Sequence, residues 1–301
     1  MKAYYRTLSY GFGIRTELPH IAEALELLLA PFRVSGEIEG PTYGVIRGNS
    51  TRRRFVVHLD GRVLQANADA RPVVEYIVWH ANTEAIKRTR DHLAFHAAAV
   101  SLNGSGVILP APPDSGKTTL TAGLVRAGFD YLSDEAALID PASAWLHPFP
   151  RALWMQTPTV ELLGRSGDGV PDLEEGRFHY QVPPHDLRSG SIGNACPVRF
   201  IVAPRYEAGT ATEATSMTRA ETVRMLAQNS FNFPRFGARG LDVLHRLVAG
   251  ARCFRLRVGD LESAVAAVSD LAGRGSGSAR AHPADVDGLR PVPDDAVAER
   301  L

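Results

Sequence analysis

The chain has 301 residues, 45% of them hydrophobic, which is enough for one α/β domain and a smaller accessory module around a sizeable core. Lys plus Arg and Asp plus Glu both number 33, so no net field draws the protein to nucleic acid or to an anionic membrane. Cys196 and Cys253 are too few and too far apart for a disulfide framework or a zinc site, the first residues lack the apolar core of a signal peptide, and no run approaches the roughly 18 apolar residues of a membrane span. A cytoplasmic protein is expected, with both thiols buried as small hydrophobes and with neither nucleic acid nor membrane as partner.

Residues 1–91 read as a small α+β unit. Tyr4 to Ile14 has the weak alternation of a strand, and Pro19 opens a helix whose apolar positions run from Ile21 to Leu29, ahead of Pro31. Strands are predicted at Thr42 to Ile46, Arg54 to Leu59 and Arg62 to Ala66, the last two joined across Asp60-Gly61 as a hairpin. A helix follows from Pro72 to Arg90. The basic run Arg52-Arg53-Arg54 reads as a solvated loop before a strand.

The second unit, 92–272, carries the chemistry. Leu93 to Val100 is a strand holding His96, and Asn103-Gly104-Ser105-Gly106 turns it back as a hairpin into Val107-Ile-Leu-Pro110. Then come Ala111-Pro112-Pro113-Asp114-Ser115-Gly116-Lys117-Thr118-Thr119 and a helix to Ala127, closed by Gly128. A strand, a loop of small residues and a helix opening on Gly-Lys-Thr form the layout of a phosphate-binding P-loop. Backbone N–H groups and the positive end of the helix dipole surround a polyphosphate in such a loop, Lys117 reaches its outer oxygens, and the Thr118 hydroxyl holds Mg²⁺. Ala111 stands where the template asks for Gly, and it fits only where its backbone is right-handed or extended, as the flanking prolines favour.

Asp134 and Glu135 separate two short apolar strands, which places them at a strand end beside the phosphate loop of a doubly wound sheet. Adjacent carboxylates there hold Mg²⁺ or accept a proton from an attacking hydroxyl. His96, one hairpin away, either sits against this pair and tunes it or is structural. Trp145 to Trp154 is apolar but broken by Pro148 and Pro150, as in an edge strand or an extended loop. Gly164 to Gly176 is either a mobile flap or a plain surface loop. Val198 to Ala203 is a buried strand ending at Pro204-Arg205-Tyr206, where Arg205 either neutralises phosphate or stays on the surface. Thr218-Arg-Ala-Glu221 is a capping box for a helix to Asn229. The aromatics of Asn229 to Phe233 either stack on adenine or pack under the loop. A helix from Gly240 to Ala249, a strand from Cys253 to Val258 and a helix from Leu261 to Ala272 complete the unit. From Gly273 to Leu301 the composition is that of a disordered tail.

Three segments in this order, His96-Ala-Ala-Ala-Val100, Pro113-Asp-Ser-Gly-Lys-Thr-Thr119 and Leu132-Ser-Asp-Glu-Ala136, resemble the HPr kinase/phosphorylase superfamily, and more closely its related serine kinases, including kinase homologues of some lasso-peptide gene clusters. The resemblance implies an α/β fold with a P-loop kinase core of the HPr kinase type behind the smaller N-terminal α+β domain. It implies ATP and Mg²⁺ as cofactors, phosphorylation of a serine on a protein or peptide partner, and self-association. Through it Asp134 is the base and Glu135 the metal ligand, a position that is usually Asp in the family. Catalytic roles fall to Asp134, His96 and Lys117, nucleotide contacts to Ala111 through Thr119, and metal contacts to Thr118 and Glu135. The alternative is a nucleotide-binding module that is not a kinase, either a hydrolytic switch or an inactive scaffold.

Overall fold

The computed structural model describes residues 1–112, 115–163 and 180–273; Pro113, Asp114, the segment Gly164 to Gly176 and the tail beyond Gly273 lie outside them. The first sheet has the order β3-β1-β2-β4-β5-β6, where β1 is Lys2–Thr7, β2 Tyr10–Thr16, β3 Arg33–Val34, β4 Thr42–Ser50, β5 Arg53–Leu59 and β6 Arg62–Asn67. The single strand expected over Tyr4 to Ile14 is instead the hairpin β1–β2. It reverses at Leu8-Ser9 with Leu8 at φ 54°, a left-handed position that no Gly or Asn marks in the sequence. The β5–β6 hairpin turns where expected, with φ 49° at Asp60 and 81° at Gly61, the two positive values of a type I′ turn. Helices α1 (Pro19–Leu29), which has proline in its first turn, and α2 (Ala70–Arg88) cover one face of this sheet. Their core also takes in Ala94, Leu138 and Phe149 from the chain that follows.

That following part holds β7 (Leu93–Leu102), β8 (Ser105–Pro110), α3 (Lys117–Arg126), β9 (Asp130–Ser133), β10 (Ala136–Ile139), β11 (Trp145–His147), β12 (Leu153–Met155), α4 (Thr157–Leu162), β13 (Tyr180–Val182) and α5 (Pro184–Leu187). After these come β14 (Cys196–Tyr206), β15 (Glu213–Ser216), α6 (Arg219–Gln228), α7 (Phe233–Gly250, kinked at Gly237), β16 (Arg252–Val258) and α8 (Leu261–Gly273). Its main sheet runs β11-β10-β7-β8-β14-β16-β15, and β9 pairs with β7. Only β8, β14 and β16 are mutually parallel among its described strands; the rest pair antiparallel. The sheet is therefore mixed rather than doubly wound, because Asn103-Gly104, at φ 51° and 72°, returns the chain as a tight hairpin where a parallel pair would need a long crossover. Trp145 to His147 is not an edge strand either, since it pairs with both β10 and β14.

Helices α3 and α8 pack on one face of the parallel strands, over Val107, Leu109, Val202 and Leu256, and α6 and α7 pack on the other, over Ile108, Ile201 and Cys253. The capping box of α6 is present, Thr218 and Glu221 each bonding the other's backbone N–H. Cys196 and Cys253 are free and buried. Among the described residues no helix is long and apolar enough to cross a membrane.

Candidate active site

Strand β7 organises the site. Its second half, Ala97 to Leu102, pairs with β8 on one side and β9 on the other, while its first half, Leu93 to His96, pairs with β10. In effect β9 and β10 are one strand antiparallel to β7, interrupted between Ser133 and Ala136. The interruption is Asp134-Glu135, a two-residue bend across which the register with β7 is kept, Ser133 facing Ala99 and Ala136 facing His96. It is fastened by the Ser133 hydroxyl, which accepts from the N–H groups of Glu135 and Ala136 at 3.2 and 3.1 Å, and by the Glu135 carbonyl, which accepts from Ala97 N at 3.2 Å. On the opposite side of β7, strand β8 ends at Pro110 and releases the loop that leads to α3. The Asn229 carbonyl takes over there, accepting from His96 N at 2.6 Å.

The loop after β8 delivers Lys117 at the first turn of α3. Gly116 precedes it at φ 81°, a conformation glycine adopts without strain, and among the described residues no side chain caps the helix, whose first N–H groups point outward as an anion would need. Ala111 is buried and is not among the residues with positive φ, so the substitution for glycine is accommodated. The Ser115 hydroxyl is buried without a partner among the described residues.

These elements enclose a cavity of about 400 Å³, lined on one side by Pro112, Gly116, Lys117, Thr118 and Thr119, and on the other by His96, Asp134, Glu135, Arg151 and Trp154. Gln156, Thr159 and Tyr206 complete its rim. Lys117, only 7% exposed, donates to His96 Nε2 at 3.0 Å and to the Ala111 carbonyl at 3.3 Å. His96 Nε2 lies 3.7 Å from Glu135 Oε1, and its ring meets Phe231 edge-on at 5.6 Å between centroids. Because Nε2 accepts from an ammonium group, the neutral ring carries its proton on Nδ1. Burial, then the Lys117 charge, lowers the His96 pKa, and burial lowers that of Lys117.

Asp134, 3% exposed, is held from three directions: Arg151 Nε and the Tyr131 hydroxyl both lie 3.1 Å from Oδ1, and Trp154 N donates to Oδ2 at 3.2 Å. Burial raises its carboxyl above the ordinary range, with Arg151 the main opposing influence. Burial works against the Arg151 charge too, and Asp134 with Glu135 outweighs it, leaving the guanidinium firmly protonated. Glu135 is the more open of the two acids, its side chain 36% exposed and its Oε2 3.8 Å from Arg151 Nη1.

Of the residues expected from the sequence, His96, Pro112, Gly116, Lys117, Thr118, Thr119, Asp134 and Glu135 line this one cavity, Ala111 and Ser115 belong to the loop beneath it, and Pro113 and Asp114 lie outside the described residues. His96 stands within electrostatic reach of both acids, Glu135 more than Asp134. It contacts Lys117 and Glu135, and the groups acting on Asp134 are Arg151, Glu135, Trp154 and Tyr131. Arg205 points elsewhere, with its side chain 82% exposed and paired to Glu207 at 3.2 Å. Phe231 packs against His96. Sequence reasoning missed Arg151, although a signal existed: it is the lone charge in the apolar run Phe149 to Met155.

The donor set suits Mg²⁺. Among the described residues no three His, Cys, Asp or Glu side chains converge as an all-protein cage. A hydroxyl on Thr118 and a half-open carboxylate on Glu135 in one cavity fit an ion that keeps several waters and takes most other ligands from phosphate.

No protein-family model and no curated protein sequence matches this chain. Among solved structures it is similar to the Hpr(Ser) kinase/phosphatase from Coxiella burnetii, at 11% sequence identity and a TM-score of 0.31, over 61% of this chain and 99% of that one.

Proposed function

We propose that the chain is an ATP- and Mg²⁺-dependent kinase that transfers the γ-phosphoryl group to a serine hydroxyl of a protein or peptide. In this reading residues 1–91 form an accessory domain and 92–272 the P-loop kinase domain, in a cytoplasmic, self-associating protein. The observation that carries it is the meeting of a buried lysine at a helix N-terminus with an acid pair across one cavity, joined through His96. The three-segment resemblance supports serine as the acceptor.

Each residue then has a task. The N–H groups at the start of α3 and the Lys117 ammonium bind and orient the polyphosphate. Thr118 and Glu135 hold the metal, which when bound neutralises phosphate charge. Asp134, its carboxyl raised by burial, takes the proton from the acceptor hydroxyl. His96 stays neutral beside the lysine and keeps it aimed, since its lowered pKa avoids a second cation 3.0 Å away. The test is ADP release that depends on added serine peptides and disappears in Lys117→Ala and Asp134→Asn.

One observation favours a second reading. Both Asp134 oxygens already have partners, as in a carboxylate fixed for binding rather than freed for proton transfer. An NTPase switch or inactive scaffold built this way would turn over nucleotide without an acceptor, or not at all, and would keep binding it after Asp134→Asn. Absence of any Mg²⁺-nucleotide thermal shift in the wild-type protein would overturn both readings.

A further inference from the structure

Resting on the phosphotransferase reading, we infer that Arg151 is a further catalytic residue, its terminal guanidinium nitrogens contacting the phosphoryl group as it is transferred. A buried cation is costly unless paired and fully hydrogen-bonded, and Arg151 is 6% exposed. Its pairing is lopsided. Nε serves Asp134 at 3.1 Å and the Ala152 carbonyl at 3.3 Å, while Nη1 stands 3.8 Å from Glu135, beyond hydrogen-bond range. No hydrogen bond joins Nη1 or Nη2 to any other described residue, and the side chain lines the cavity. The inner end of the fork is fastened and the outer end faces the space where the polyphosphate would lie.

The backbone keeps it there. Phe149 N donates to the Leu132 carbonyl at 2.7 Å, Arg151 N to the Phe149 carbonyl at 2.8 Å, and the Tyr131 hydroxyl, whose one proton is shared with Asp134, lies 2.9 Å from the Arg151 carbonyl. Donors fixed before the reaction need no reorganisation during it. In the transfer, the bond between the γ-phosphorus and the β,γ-bridging oxygen breaks and its electron pair leaves on ADP. A bond forms between phosphorus and the acceptor oxygen, whose proton goes to the Asp134 carboxylate. Negative charge spreads over the three equatorial oxygens, which a planar fork meets better than a point charge. Lys117 approaches from the α3 side of the cavity and Arg151 from the acid-pair side.

The experiment measures binding of ADP with Mg²⁺, alone and with aluminium fluoride, a mimic of the transferring phosphoryl group. Aluminium fluoride should tighten ADP binding to the wild type, and Arg151→Lys should lose that tightening by roughly 100-fold, measured relative to the same variant's own affinity for ADP alone. An Arg151→Lys variant that retains the full tightening overturns the assignment. Should that variant fail to fold, Asp134→Asn is compared with Asp134→Asn/Arg151→Gln, which leaves no buried carboxylate unpaired. A loss of tightening only in the double variant supports direct contact; equal tightening in both means that Arg151 acts only through Asp134 and overturns it. Wild-type protein that binds ADP but shows no aluminium fluoride effect, or binds no ADP, removes the phosphotransferase reading itself, and the inference with it.

Discussion

The two sheets bury polar groups in opposite ways. Under the first lies a neutral chain: the Tyr10 and Tyr43 hydroxyls lie 3.2 Å apart, and the Tyr43 hydroxyl is 2.7 Å from His80 Nδ1. Beside the second, three of the buried groups are ions, Lys117, Asp134 and Arg151, each less than a tenth exposed. Neutral hydroxyls hydrogen-bonded to one another cost little to bury, whereas ions cost several kcal/mol apiece on the order of magnitude known for proteins, even after relaxation. A fold needs the first arrangement only for packing. The second is unfavourable for stability alone, which is the property that singles it out as the candidate site.

Substitutions test this contrast. The largest effect is expected for Asp134→Asn, which should cut acceptor-dependent turnover by roughly 100- to 10,000-fold with nucleotide binding retained, as measured by ADP release and by titration. Lys117→Ala should follow, at about 100- to 1,000-fold in rate, together with loss of the Mg²⁺-ATP thermal shift. Gly116→Ala places a side chain at φ 81°, where among the described residues its Cβ would meet only Tyr206 at 3.7 Å. The cost is therefore backbone strain of about 1–2 kcal/mol, to be read by chemical denaturation. Under the other sheet, Tyr43→Phe should cost about 1 kcal/mol of stability and leave the nucleotide thermal shift unchanged. A changed shift would mean that the two networks are coupled.

The smallest effect is on pH dependence. Burial lowers the His80 pKa below its ordinary 6.5, so its contribution to stability is complete above that value and is lost as pH falls through the lower folded value. The melting temperature of His80→Gln should therefore decline less between pH 6.5 and 5 than that of the wild type. Equal slopes would remove His80 as the titrating group.

What could be read from the chain divides along the range of the interactions involved. Asp60-Gly61, Asn103-Gly104 and Thr218 to Glu221 announce their turns and cap because the chemistry lies within four residues. Leu8 gives no such notice, since its left-handed turn is imposed by the pairing of β1 with β2. Lys117, Asp134 and Glu135 were legible as residue types in a spacing, but their meeting depends on β7 standing between β8 and β9–β10, which no local pattern states. Arg151 was lost for the same reason: its partners Asp134 and Tyr131 lie 17 and 20 residues back and meet it only after the sheet has formed.

The position of β7 has a mechanical consequence. The strand that releases the lysine-bearing loop and the bend that bears the acids are its two immediate neighbours, one ladder spacing of about 4.8 Å to either side. Their separation is thus set by main-chain hydrogen bonds, the stiffest ruler a protein possesses. The lysine and the acids are therefore held to one another through the ladder of β7 rather than through loops alone.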